Sequence, residues 1–244
     1  MDIRLLKAMV IGDGCLDIRD RYRNARFSIM HSVKQKDYLL WKKDLLEAGG
    51  FRTSYFEFEN VTNPHTGKKA LMCRIESNVS VELTILRGQL YPKSEGFKPG
   101  VLDDLEDIHL AIIFMDDGTR CVTKTCGTTL KGKRYTYPCD PYISSFRFAL
   151  QSHGFSGANQ FCVWLKDKFS VDARVVQQAG QAVVSIYRNA SKKKFRHIVT
   201  PHIHTSLAYK IDGTFKCHSI RRERLSEKAP DQVVRQSDLT GNEP

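Results

Sequence analysis

LKAMVIGDG at residues 6–14 and LAIIFMDDG at residues 110–118 are the two stretches on which the reading of this chain turns. Each is an apolar run closing in Asp-Gly, and Asp13 and Asp117 stand 117 − 13 = 104 positions apart. Apolar residues in such a run predict a buried helix, and a glycine just past it is the commonest stop. The acid is harder to explain by local rules. A helix C-terminus carries roughly half a negative charge, so a carboxylate there loses ~0.3–1 kcal/mol where Lys or Asn would not. The same unfavourable choice at equivalent places of a duplicated unit points to a bound divalent cation, because carboxylate, carbonyl and water oxygens are the ligands Mg²⁺ takes. Ala8 and Gly12, four apart, give the first helix a small-residue face on which another helix can approach closely. If the two helices pack side by side about a pseudo-two-fold axis, Asp13 and Asp117 emerge together, and like charges that close call for a cation between them.

The same order of elements follows each motif. After the first, CLDIR and ARFSIMHS alternate as strands do, with Phe27 and Ile29 on one face and Arg26, Ser28 and Met30 on the other. Ser32 and Gln35 form a capping-box pattern ahead of a helix with Tyr38, Trp41 and Leu45 on one stripe, stopped by Gly49-Gly50. A second hairpin and a short helix near SVELTILRGQLYP complete the unit. After the second motif, ISSFRFALQS turns Phe146, Phe148 and Leu150 inward and Arg147 and Gln151 outward, and Ser156 is placed to cap NQFCVWLKDKF. DARVVQQ with QAVVSIYRN makes another hairpin, and SKKKFRHIV is a closing helix that stops at Pro201. The fold class is therefore α+β, two pseudo-symmetric αββαββα repeats of antiparallel sheet with helices on one face. The expected boundaries are 1–100 for the N-terminal repeat, 101–215 for the C-terminal repeat and 216–244 for a charged, flexible tail. From motif acid to helix Trp the second copy is 47 − 28 = 19 residues longer, which makes KTCGTTLKGKRYTYPCDP a basic loop.

Composition narrows the function. In 244 residues, 41% of them hydrophobic, there is enough apolar surface for a substantial core. Thirty-eight Lys and Arg against 27 Asp and Glu leave +11, which favours a polyanionic partner over an acidic substrate. Residues 221–244 hold five bases and five acids, so the excess lies in residues 1–220. Seven cysteines without a CxxC pair fit reduced thiols better than a disulfide framework or zinc ribbon. With no signal-peptide h-region and no apolar run of about 20 residues, the expectation is an intracellular, soluble protein.

With two matching motifs and matching flanks, residues 3–212 resemble the single-chain, two-motif LAGLIDADG homing endonucleases. HSVKQKDYLLWKKDL and SKKKFRHIVTPHIHTSLAYKI look like that family's inter-motif helix and C-terminal segment. The resemblance implies two four-stranded sheets straddling double-stranded DNA, with the motif helices at the centre, in a monomeric enzyme. It further implies phosphodiester hydrolysis at a specific site, with Asp13 and Asp117 binding Mg²⁺ or Mn²⁺ and backbone oxygen from Gly12 and Asp116 beside them. The family also places a base near the start of each half's last helix. Lys192, Lys193 and Lys194 fill that place in the second half; in the first, Ser77 and Asn78 do not, with Arg74 a little upstream. Lys192 and Lys193 are accordingly expected to be catalytic, and the two strands to be cut unequally. Ile112 and Asp116 depart from the small residues of the family name, and Met115 stands where the motif has its earlier acid.

Arg19, Arg21, Arg23, Arg26, Ser28, Arg52, Lys68, Lys69, Arg74, Lys124, Lys131, Lys133, Arg134, Arg147, Gln151 and Arg174 lie in predicted strands or hairpin tips and are the candidate DNA contacts. Outward Arg and Gln suit guanine and adenine edges in the major groove, while Lys68 and Lys69 suit phosphate. His31 and His153 end corresponding strands near the acids. His197, His202 and His204 lack the Cys partners of a zinc site. The alternatives to an endonuclease are an RNA-binding maturase, with intron RNA as partner, and a DNA-binding regulator that has lost cleavage. The presence of both acids argues against the latter.

Overall fold

The computed structural model describes residues 2–60, 69–130, 133–215 and 234–235. It begins with α1 (Ile3–Ile11), an apolar helix whose N-cap Asp2 accepts from the Arg4 backbone N–H. Then come β1 (Cys15–Asp17), β2 (Arg26–Ser32), α2 (Lys36–Ala48), β3 (Thr53–Asn60), β4 (Ala70–Ser77) and α3 (Val81–Leu90). The order repeats as α4 (Asp107–Asp117), β5 (Gly118–Leu130), β6 (Lys133–Phe148), α5 (Gly154–Phe169), β7 (Arg174–Gln178), β8 (Gln181–Ile186) and α6 (Asn189–Val199). The strands form two antiparallel sheets, ordered β1-β2-β4-β3 and β5-β6-β8-β7.

The α+β arrangement read from the sequence is thus present, with local differences. Ser32 caps a 3₁₀ turn over Val33–Gln35, and α2 begins only at Lys36. Ser156 caps nothing at the helix start, because α5 already begins at Gly154, two residues upstream. Gln151 lies past the strand, in the 3₁₀ turn Gln151–His153. The stretch read as a basic loop is a long hairpin instead: β5 and β6 pair from Gly118↔Phe148 out to Leu130↔Lys133. Its alternating Thr, Tyr and Val are β-formers, and strand pairing satisfies backbone groups that a loop of that length would leave to water. Two residues of the tail, Val234 and Arg235, form a ninth strand, β9, against β6.

α1 and α4 lie at the centre of one continuous core that takes in apolar residues of both halves. Leu6, Ala8, Met9, Val10 and Ile11 from α1 and Leu110, Ala111, Ile112, Ile113, Phe114 and Met115 from α4 are all buried. Their apolar runs, broken in α1 by Lys7 paired with Asp104, follow from this position, since a helix covered on all sides has no polar face. Phe114 meets Phe146, Phe148 and Phe195 edge-on, with ring centroids 5.0–5.7 Å apart. Tyr38 is buried in α2, but the covered stripe runs Tyr38, Leu39, Lys42 and Leu46, whereas Trp41 and Leu45 are only half-buried. The core stripe therefore includes a lysine that is 0% exposed.

Candidate active site

The helices α1 and α4 end where they meet. A Cβ on Gly12 would stand 2.6 Å from the Asp116 Cβ, so the small-residue face of α1 is what lets α4 come so near. This contact brings three carboxylates together at the helix ends: Asp13, Asp116 and Asp117. The Asp13 backbone N–H points to Asp116 Oδ2 at 3.5 Å. Asp13 keeps 39% of its side chain exposed, while the Asp116 side chain is fully covered.

Their electrostatics follow from this crowding. Burial, then repulsion by Asp13 and Asp116, pushes the Asp117 carboxyl up to about 7. Burial and Asp116 raise Asp13 above the usual carboxylate range. Carboxylates in this condition have lost solvation and gained like-charge neighbours, and a cation relieves both.

Three lysines surround the acids. Lys42, on α2, donates to Asp116 Oδ1 at 2.5 Å, and Tyr38 donates to the same oxygen at 2.8 Å. Lys93 donates to the Val10 carbonyl at 2.5 Å, near the end of α1. Lys210 donates to the carbonyls of Met115 at 2.6 Å and Gly118 at 2.8 Å, and lies 3.4 Å from that of Asp116. Each of the last two thus satisfies carbonyls that a helix end leaves unpaired, where a positive charge is also favoured by the helix dipole. Burial pulls all three ammonium groups below the ordinary lysine value, and the acids oppose that pull.

His31 completes the cluster. Its Nε2 lies 3.2 Å from Lys42 Nζ and its Nδ1 3.8 Å from Asp13 Oδ2. Ligand atoms of Asp13, His31 and Asp116 lie within 4.8 Å of one another. Burial, with the charge of Lys42 added, lowers the His31 pKa to about 4, so the ring is neutral at physiological pH.

The lysines facing the acids are therefore Lys42, Lys93 and Lys210, not Lys192 and Lys193. Lys192 is 2% exposed and donates to the carbonyls of Ile143 and Ser144, pinning α6 to β6. Lys193 is exposed beside Arg196 and His197. Lys93 and Lys210 come after each half's last helix, in Tyr91-Pro92-Lys93 and Ala208-Tyr209-Lys210, and not at its start. The first half consequently does not lack a cation, which removes the reason given for unequal cutting. Lys93 stands 93 − 90 = 3 residues past α3 and Lys210 stands 210 − 199 = 11 past α6, so no shared spacing marks them in the sequence; a lysine on the apolar stripe of α2 is the signal for Lys42.

The candidate DNA contacts divide. On the first sheet, Glu76 draws Arg26 at 2.8 Å, Arg74 at 3.1 Å and Arg19 at 3.5 Å, and Asp17 takes Arg26 as well. Arg74 lies over Phe58, 5.2 Å from its centroid, and Ser28 pairs with Glu76 in the ladder. These arginines share anions within the sheet. Arg21, Arg23 and Arg52 are exposed outside the strands, and Lys124 is exposed on β5. Lys69 stands 3.6 Å from Glu59. On the second sheet Arg147 donates to Gln178, and Arg174 covers the Tyr187 ring at 4.2 Å. Lys133 pairs with Leu130 and Arg134 with Thr129 in the backbone ladder at the end of the long hairpin. Lys68 and Lys131 lie outside the described residues.

Two apolar helices that bury each other and end in acids, each followed by an antiparallel half-sheet, are the architecture of a two-motif LAGLIDADG protein. The model of the LAGLIDADG DNA endonuclease family matches residues 5–195, and the chain belongs to that family. It is similar to proteins named RecA: 27% identical over 213 residues to that of Mycolicibacterium chitae, covering 85% of this chain and 45% of that protein. To that of Mycolicibacterium flavescens it is 27% identical over 229 residues, covering 86% and 46%. The chain thus spans less than half the length of these curated relatives. Among solved structures it resembles the homing endonuclease I-WcaI bound to its DNA recognition sequence, with a TM-score of 0.67 and 17% identity over 88% of this chain and 86% of that one. That likeness is one of fold. No helix among the described residues is long and apolar enough to cross a membrane.

Proposed function

We propose that this chain is a site-specific, double-stranded DNA endonuclease that hydrolyses phosphodiester bonds with a divalent cation, Mg²⁺ or Mn²⁺. The observation that carries this reading is the convergence of Asp13, Asp116 and Asp117 with Lys93 and Lys210 at the paired ends of α1 and α4. A group of acids pushed upward by burial and mutual repulsion has the chemistry of a cation site. Asp13 and Asp117 would hold the cation, with backbone oxygen from Gly12 and Asp116. The Asp116 carbonyl is already approached by Lys210, and its carboxylate is engaged by Lys42 and Tyr38. A bound divalent cation supplies an activated water and a stabilised leaving oxygen at neutral pH.

The chain's own groups do the rest. Lys93 and Lys210 place positive charge beside the acids, where it favours the extra charge that develops on a phosphate under attack. The strands present Lys124, Arg147 and Arg174, and the segments between strands Arg21, Arg23 and Arg52, to a polyanion. Residues 1–100 and 101–215 act as the two halves of this DNA-binding unit, and the presence of both motifs in one chain makes the monomer sufficient. Binding of intron RNA by a maturase needs charge but no cluster of desolvated acids, so the cleavage reading uses more of what is observed.

The experiment is selection of cleavable targets from a randomised double-stranded DNA library with Mg²⁺. Enrichment of one long site, cut on both strands, is the expected result. Recovery of no cut sequence, with intact DNA binding, would overturn it.

A further inference from the structure

The two halves wire their acids differently. His31 lies near the end of β2, at a register position where the second half has the buried Leu150, and His153 comes later, at the close of the 3₁₀ turn Gln151–His153 ahead of α5. His31 turns Nδ1 toward Asp13 Oδ2 at 3.8 Å. His153 turns instead to the Ile11 carbonyl, 3.4 Å from its Nε2, and stacks on Phe97 at 4.4 Å. The groups that offset the charge of Asp117 are Lys93 and Lys210.

Lys42 decides which nitrogen of His31 carries the proton. An ammonium has three donors and no acceptor. Those of Lys42 meet Asp116 Oδ1 at 2.5 Å, His31 Nε2 at 3.2 Å and the face of the Tyr38 ring, 4.4 Å from its centroid. His31 Nε2 therefore accepts, and the proton of the neutral ring sits on Nδ1, the nitrogen facing Asp13. Gln35 also favours a proton on this ring.

We propose that Lys42 and His31 are positioning residues for Asp13: Lys42 fixes the His31 tautomer, and the Nδ1–H draws Asp13 Oδ2 to itself and leaves Oδ1 to face the cation. This rests on the cleavage reading above. At 3.8 Å the neutral ring's Nδ1–H stands just beyond hydrogen-bond range of Oδ2, and rotation of the Asp13 carboxylate would bring the two within it. Among the described residues no histidine acts on the Asp117 carboxylate, so the strand whose cut depends on Asp13 is the one that depends on His31.

The test uses the full chain and its selected target with each strand separately end-labelled. His31→Phe keeps a flat ring without either nitrogen, and His31→Asn restores a donor at the place of Nδ1. We expect His31→Phe to slow one strand about tenfold or more while the other stays within about threefold, and His31→Asn to recover most of the loss. Lys42→Met, which frees the tautomer, slows the same strand. Calorimetry of the DNA complex with Ca²⁺, read without turnover, shows one Ca²⁺ site weakened in His31→Phe and restored in His31→Asn. Equal slowing of both strands, an Asn variant as slow as Phe, a Lys42→Met effect on the opposite strand, or unaltered Ca²⁺ binding would each overturn the proposal. A wild-type chain that cuts no library member defeats the cleavage reading itself. One that cuts, with His31→Phe indistinguishable from it, defeats only the positioning role.

Discussion

Gly12 of α1 and Asp116 of α4 are in contact, and the contact sets how near the two acid-bearing helix ends come. A Cβ at residue 12 would stand 2.6 Å from both the Cβ and Oδ2 of Asp116. The requirement at Gly12 is one of space, since a side chain there would run into Asp116. Gly12→Ala should cost about 1–3 kcal/mol by overpacking, read as a lower urea midpoint, and should reduce cleavage further by spreading the acids. An unchanged midpoint would show that the helices separate easily.

Lys93 and Lys210 should matter to cleavage in a way Lys192 does not. Lys93→Met and Lys210→Met are each expected to lower the cleavage rate by about 10²-fold with DNA affinity nearly retained. Lys192→Met removes the bonds to Ile143 and Ser144, so its effect should fall on stability, with the folded protein cutting normally. Single-turnover rates alongside denaturation midpoints separate the two behaviours. A catalytic defect in Lys192→Met at full stability would restore that lysine to the site.

The response to pH has two parts of opposite sign. His31 and His153 are lowered by burial to about 4, below the 6.5 of an unfolded histidine, so the unfolded chain gains protons first as the pH falls. Stability from these two groups is present above about pH 6.5 and is lost between there and about pH 4. Asp117 is raised to about 7, so the folded protein holds a proton that the unfolded chain has released, and its contribution is lost as the pH rises through 7. A bound cation displaces that proton. The rise in melting temperature on adding Mg²⁺ should therefore be larger at about pH 8 than at about pH 5.5. Equal shifts at both would contradict the assigned carboxyl.

Glu76 restrains the basic charge of the first sheet, because Arg19, Arg26 and Arg74 all share it. Glu76→Gln should tighten non-specific DNA binding several-fold and steepen its salt dependence by about one phosphate contact. Fluorescence anisotropy across a salt series reads both. A flat salt response in the wild type would remove the model of a sheet laid on DNA.

The motifs, the hairpins and their inward faces were legible because periodicity is local: Phe27 and Ile29, or Phe146 and Phe148, alternate whatever the rest of the chain does. The meeting of Asp13 with Asp117 could be inferred from duplication and from the small face at Ala8 and Gly12. Lys93 and Lys210 were not found, because each sits past its helix in a 3₁₀ turn and reaches the acids only through tertiary packing. Lys192 looked catalytic from its place at a helix start, but its stem is buried and its donors go to β6. Lys42 was hidden by the stripe chosen for α2; a one-residue rotation of that stripe places it inside. The long hairpin was missed because Gly, Pro and Lys within it read as turn residues, while pairing with β6 overrode them.

In the proposed function Asp13 and Asp117 together hold the cation that cuts DNA. The most direct measurement is strand cleavage of the selected target by wild type, Asp13→Asn and Asp117→Asn in Mg²⁺, with DNA affinity measured in parallel in Ca²⁺. Each variant is expected to lose double-strand cleavage by about 10³-fold or more while binding DNA at close to wild-type affinity. Wild-type cutting by either variant, or loss of binding in step with loss of cutting, would contradict it.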